Sequence, residues 1–347
     1  MANKKNTTPA NISKIQELRK QEISTDTLTK GLFEGNKALL AKAITLLEST
    51  NPMHFEKANA VIEKCLTQPN SSIRLGITGV PGVGKSSFIE ALGSLLTSKG
   101  KKVAVLAVDP TSSLSKGSIL GDKTRMQSLS KDPNAFIRPS PSGSSLGGVA
   151  QKTRESIILC EAAGYDVILV ETVGVGQSEI AVHSMVDFFL LLKLSGAGDE
   201  LQGIKRGIME MADAIAINKA DGDNLKRAQL AAAEFSRALH LYPPKANGWT
   251  PKVLKCSATE HKGIHEIWDM IEDFVVQNQK NGHFIKNRQL QNRNWFFQTV
   301  DEQIKQFFHQ KESFNKAQKK MLKAIDENKI SPFYAAKLLL EDITKEL

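Results

Sequence analysis

Gly79-Val80-Pro81-Gly82-Val83-Gly84-Lys85-Ser86 fits the pattern GxxxxGK[ST] and stands between a short apolar run, Ile73 to Thr78, and a helical stretch, Ser86 to Ser98, closed by Gly100. The chemistry this suits is phosphate binding. Glycines let the backbone wrap an anion with its N–H groups inward, and a helix beginning near Gly84 adds the positive end of its dipole. Lys85 would reach the outer phosphates and the Ser86 hydroxyl would serve a magnesium ion, with Ser87 closing the nucleotide-binding stretch. Magnesium also needs acidic neighbours. Asp109 follows the run VAVLAV and Glu171 follows VILV, so Lys85, Asp109 and Glu171 are the candidate catalytic residues, and Gly174 could sense a γ-phosphate through its N–H.

A second group has the chemistry of a base reader. Asn218-Lys219-Ala220-Asp221 directly follows the apolar run AIAI, which places NKxD at the carboxyl end of a strand. The Asp221 carboxylate can accept from the N1–H and exocyclic amine of guanine, donors that adenine does not present on that edge. Adenine would leave a buried acceptor unpaired, at a cost of about 1–3 kcal/mol or more. Asn218 would brace the base, the Lys219 stem would lie along the purine face, and Ser257-Ala258 would offer main-chain N–H groups to the guanine oxygen. Alone, the tetrapeptide could be a solvated helix cap. With a phosphate loop upstream and Ser-Ala downstream, it selects GTP over ATP.

The elements that must position these groups are short apolar runs separated by helix-length segments: Ile73–Thr78, Val103–Val108, Val167–Val170, Phe188–Leu192, Ala214–Ile217 and Val253-Leu254. Runs buried on both faces belong to parallel sheets. The expected fold is α/β, a doubly wound, mainly parallel P-loop sheet at 71–279, preceded by a helical region at 1–70 and followed by a helical arm at 280–347. In the first region Leu39, Leu40, Ala43, Leu46 and Leu47 make one apolar face. The arm carries Trp295, Phe296 and Phe297 and has little core of its own, which leaves either packing on the central domain or a dimer contact. Two stretches, one after Asp109 rich in Ser, Gly and basic residues and one from Leu194 to Ile208 that mixes Gly with charged residues, read as functional loops.

Composition narrows the classes. Lys and Arg exceed Asp and Glu by 46 − 37 = 9 over 347 residues, which suits anionic ligands. The basic residues are dispersed and the aromatics are not interleaved with them, so nucleic acid is not expected as a partner. Cys65, Cys160 and Cys256 form no CxxC pair and read as reduced thiols. The first twenty residues lack an apolar leader or an Arg-rich amphipathic pattern, and Val186 to Leu192 is too short to span a bilayer. A cytoplasmic protein without a membrane segment is expected.

Taken in order, GVPGVGKSSFIEALG, AVDPTSSLSKGSILGDKTRM, IRPSPSGSSLGGVAQKTRE, ETVGVGQSE, GAGDELQGIKRGI, NKAD and CSA resemble the methylmalonyl-CoA mutase-associated GTPases of the MeaB/ArgK type. The resemblance covers nearly the whole chain. It implies a homodimeric GTPase that gates cofactor loading of, and protects, an adenosylcobalamin-dependent acyl-CoA mutase. It also implies that Asp109, Asp122 and Glu171 are switch and metal-site acids alongside Ser86. Gly196 to Lys205, including Asp199, Glu200 and Gln202, looks like a third switch that relays nucleotide state, with Lys205 and Arg206 as its charged end. Gln177 alone could activate water, so slow intrinsic hydrolysis raised by the partner is expected. The rival readings are a metal-insertion GTPase, for which only His261 and His265 offer spacing, and a transport-associated kinase or ATPase, as an older label for such sequences has it.

Overall fold

The apolar runs pair because segments rich in Val, Ile and Leu can bury both faces only inside a layered sheet. In the computed structural model the described residues are 23–68, 71–108, 126–139, 146–172, 178–196 and 206–344. They fall into two compact units that divide after Phe284. The first contains a seven-stranded sheet in the order β3-β2-β4-β1-β5-β6-β7. Its strands are β1 (Ile73–Gly79), β2 (Val103–Val108), β3 (Ala135–Arg138), β4 (Val167–Thr172), β5 (Phe188–Leu194), β6 (Ala214–Asn218) and β7 (Lys252–Lys255). All the pairings are parallel, so every carboxyl end lies on one edge. β1 sits between β4 and β5, with Ile77 beside Glu171 and Gly79 beside Leu192.

One face of the sheet packs on the helices Lys85–Ser98 and Ile264–Lys280. There Phe88, Leu92, Phe188, Trp268 and Phe274 are buried together. The other face carries the helix Leu146–Ala162 and three N-terminal helices, Thr25–Phe33, Lys37–Glu48 and Pro52–Cys65. Each of the three has a capping side chain, as short helices in water require. Ser24 accepts from the Thr27 N–H, Asn36 from Ala38 and Leu39, and Asn51, just before Pro52, from Met53. Leu32, Leu40, Ile44 and Leu47 share one buried cluster with Leu159 and Ile168, so these helices complete the sheet's core instead of forming a separate one. Within it, Arg74 grips Glu161 at 2.7 Å, a buried carboxylate that also accepts from Ser72.

Two elements lie inside the aperiodic segment between β2 and β4. β3 has only four residues, and the helix Leu146–Ala162 opens on two consecutive glycines, so neither offers enough periodicity to be recognised alone. The second unit holds most of the helix His283–Gln310, then Glu312–Asp326 and Pro332–Thr344. Among the described residues no helix is long and apolar enough to cross a membrane.

Candidate nucleotide site

The phosphate loop runs from the end of β1 into the helix Lys85–Ser98, on the sheet's carboxyl edge. Two of its glycines, Gly79 and Gly84, are required by close contacts, and Gly82 by its left-handed backbone, φ 81. A Cβ on Gly79 would lie 2.6 Å from the Leu192 carbonyl of the neighbouring strand. Gly84 has φ 93 and approaches Asn218 so closely that a Cβ would meet its Nδ2 at 2.7 Å. Val83 is fully buried and anchors the loop, while Pro81 and Gly82 are exposed at its tip. Lys85 is buried, and its Nζ donates to the carbonyls of Gly79 at 2.8 Å and Val80 at 3.4 Å. Ser86 Oγ lies 3.4 Å from Glu171 Oε1, both residues buried, while Ser87 follows on an exposed turn of the helix.

Across β5, β6 delivers Asn218 to the same edge. Its side chain joins two loops: Nδ2 donates to the Val83 carbonyl at 2.8 Å, and Oδ1 accepts from the Ala258 N–H at 3.2 Å and from Cys256 Sγ at 3.6 Å. Lys219 takes a left-handed backbone, φ 57, and its Nζ donates to the Gly82 carbonyl at 2.9 Å. The Asp221 carboxylate is oriented by the Ser257 hydroxyl, with Thr259 Oγ1 at 3.5 Å. Both main-chain N–H groups expected at the base are bonded within the protein, that of Ala258 to Asn218 Oδ1 at 3.2 Å and that of Ser257 to the Lys262 carbonyl at 2.9 Å. Ser257 therefore enters the site through its hydroxyl, because the short Ser257–Lys262 bridge that turns the chain into the next helix takes up its N–H.

Several candidates from the sequence lie outside the described residues: Asp109, Asp122, Gly174, Gln177, Asp199, Glu200, Gln202 and Lys205. Gly196 follows β5 with φ 89, and Arg206 opens the helix Arg206–Met211. His265 pairs with Asp269 at 2.8 Å one turn along its own helix, while His261 sits in a left-handed turn. Two contributors were missed. Cys256, which the sequence presents as a reduced thiol and as the first residue of CSA, touches Asn218, and burial pushes that thiol up to about 12, so it acts as a neutral packing group. Asn224 bonds the Lys219 carbonyl; a polar side chain just past the base-reading motif is the signal that could have found it.

A phosphate loop on one strand and an NKxD turn on another, tied to each other by Asn218 and Lys219, define a P-loop guanine-nucleotide-binding protein. The chain belongs to the family described as "Methylmalonyl Co-A mutase-associated GTPase MeaB", whose model matches residues 40–313. The GTPase ArgK of Escherichia coli K12 is 46% identical over 312 residues, which cover 90% of this chain and 94% of that protein. A mouse protein, "Methylmalonic aciduria type A homolog, mitochondrial", is 45% identical over 332 residues, 93% of this chain and 80% of its own length. The crystal structure of an LAO/AO transport system kinase matches with a TM-score of 0.75 at 40% identity, covering 92% of this chain and 97% of that one. The protein is accordingly a GTPase.

Proposed function

We propose that this GTPase acts as a chaperone for an adenosylcobalamin-dependent acyl-CoA mutase, gating cofactor loading and protecting the mutase in a nucleotide-dependent way. The observation that carries the GTP half is Asn218, which holds the phosphate loop at Val83 and the base turn at Ala258, so one nucleotide would engage both at once. The mutase half is supported by the family's description and by the name of the mouse relative. In this reading Asp221 selects guanine, and Lys85 exchanges its bonds to the Gly79 and Val80 carbonyls for phosphate oxygens.

The residues present fit magnesium. A hydroxyl and a carboxylate, both buried, converge at the end of the phosphate loop, and this is the hard oxygen donor set that magnesium prefers. Ser86 and Glu171 would hold the ion, with Asp109 and Asp122 as further acids. When bound, it supplies charge neutralisation to the terminal phosphates. The chain's own residues then position the γ-phosphate and exclude competing bases, and Gly196 to Arg206 carries the nucleotide state to the mutase. The region after residue 280 serves as a homodimerisation arm, in keeping with Phe296 at 63% and Phe297 at 64% exposure. A cytoplasmic location completes the reading.

The test is co-purification of the chain with candidate cobalamin mutases in the presence of GTP, GDP or no nucleotide, together with phosphate release on adding the mutase. Nucleotide-dependent capture and faster release are expected. Equal capture in all three states, with basal turnover already fast and unresponsive, would overturn the proposal. Sedimentation of the chain with Phe296→Asp and Phe297→Asp should show conversion from dimer to monomer.

A further inference from the structure

The base turn contains a strain that the nucleotide-binding residues do not themselves relieve. Lys219 carries a Cβ and yet sits at φ 57, a left-handed conformation that only a short list of residues adopts without cost. The peptide that follows it is held on both sides: the Ala220 N–H donates to the Cys256 carbonyl at 2.9 Å, and Asn224 holds the carbonyl side. The side-chain Nδ2 of Asn224 donates to the Lys219 carbonyl at 2.6 Å, and its main-chain N–H donates to the Asp221 carbonyl at 3.0 Å. Its Oδ1 accepts from Ser195 Oγ at 2.6 Å. Asn224 precedes the helix Leu225–Leu239 but makes no side-chain capping bond to it, so its hydrogen-bonding capacity is directed at the turn.

Ser195 stands one residue beyond β5, whose last residue Leu194 is in register with Asn218. The neighbouring strand thus fixes the acceptor end of the Asn224 amide, and the donor end fixes the base turn. We propose that Asn224, oriented by Ser195, is a positioning residue for guanine: it sets the Lys219 backbone, and with it the direction of the Asp221 carboxylate two residues on. This inference rests on the guanine-site reading above. It adds a specificity determinant, because displacement of Asp221 should weaken its grip on the guanine exocyclic amine more than it weakens the phosphate contacts.

Asn224→Asp keeps the acceptor for Ser195 but replaces the donor with an oxygen that opposes the Lys219 carbonyl. Calorimetry on the full chain with GDP, IDP and ADP reads the consequence, since IDP lacks the exocyclic amine. For the unaltered protein, GDP should bind more tightly than IDP and far more tightly than ADP; failure of that ordering sinks the guanine site itself. Asn224→Asp should lower GDP affinity about tenfold, the scale of one hydrogen bond, while lowering IDP affinity less, so that the GDP-to-IDP ratio shrinks. Unchanged affinities, or equal losses for both ligands, would overturn the positioning role. If Asn224→Asp does not fold, Ser195→Ala and Ser195→Thr decide: Ala should shrink the ratio about twofold and Thr should leave it intact, and an unaffected Ser195→Ala overturns the proposal.

Discussion

The two ends of the nucleotide site are built differently. At the base end, each polar side chain is directed by another part of the protein: Asn218 by Val83 and Ala258, Lys219 by Gly82, Asp221 by Ser257. At the phosphate end, Lys85 donates to carbonyls of its own loop, and Ser86 and Glu171 stand at a long 3.4 Å. Preformed groups bind without reorganising, whereas groups that must exchange internal bonds for ligand bonds respond to what the ligand offers. The base end is therefore suited to affinity and base choice, which are the same for GDP and GTP. The phosphate end is suited to telling those two nucleotides apart.

The largest effect should come from the phosphate end. Lys85→Ala removes the ammonium that the proposed reading turns from the Gly79 and Val80 carbonyls to phosphate oxygens, and single-turnover phosphate release should fall by about 10²–10³-fold. GDP should still bind measurably through the base end; loss of all nucleotide binding would show that the two ends are not separable in this way. Next in size is Asp221→Asn, which turns one acceptor oxygen into a donor. GDP affinity should drop by on the order of a hundredfold while xanthosine diphosphate, with an oxygen at that edge, gains. Competition binding with both nucleotides decides it, and retained guanine preference would place base recognition elsewhere.

Gly84→Ala probes the joint between the ends. The added methyl would lie 2.7 Å from Asn218 Nδ2 at φ 93, so strain and displaced packing act together. A loss of about 1–3 kcal/mol is expected by denaturant unfolding. GDP binding should weaken as well, because moving Asn218 disturbs both loops; a stable variant with ordinary GDP affinity would mean that the joint is slack.

What could be read in advance follows the same division. Both motifs are contiguous and each directly follows an apolar strand, so the phosphate loop and the NKAD turn were visible with their strands. The links between them were not. Asn224 and Ser195 are 29 residues apart, and only the register of Leu194 with Asn218 brings them within reach. The same holds for Ser257, whose N–H goes to Lys262 because of a local bridge that no spacing announces. β3 escaped because four residues, AFIR, carry too little pattern, although Ala135 and Phe136 are buried in the sheet.

The smallest effect concerns the fold near the amino-terminal side of the sheet. His183 closes the short helix Ser178–His183, with its ring edge-on to Phe189 of β5 at 5.4 Å. Burial holds it below its ordinary 6.5, outweighing the pull of Asp213 towards the charged form, and Lys245 adds to the lowering. As pH falls below 6.5 the unfolded chain takes up this proton before the folded one does, so stability is complete above that value and declines from there towards the folded-state value. One proton can contribute a slope of at most about 1.4 kcal/mol per pH unit, and a smaller one is expected while the ring is only partly titrated. Melting temperatures of the protein and of His183→Gln, taken from about pH 7.5 to about pH 5.5, should converge as the pH falls, because the variant lacks this loss. GDP affinity over the same range should change little, since the base end holds no group whose charge depends on His183. Parallel melting curves would remove His183 from the account, and a GDP affinity that fell together with stability would show that the base end is less independent of its surroundings than its hydrogen bonds imply.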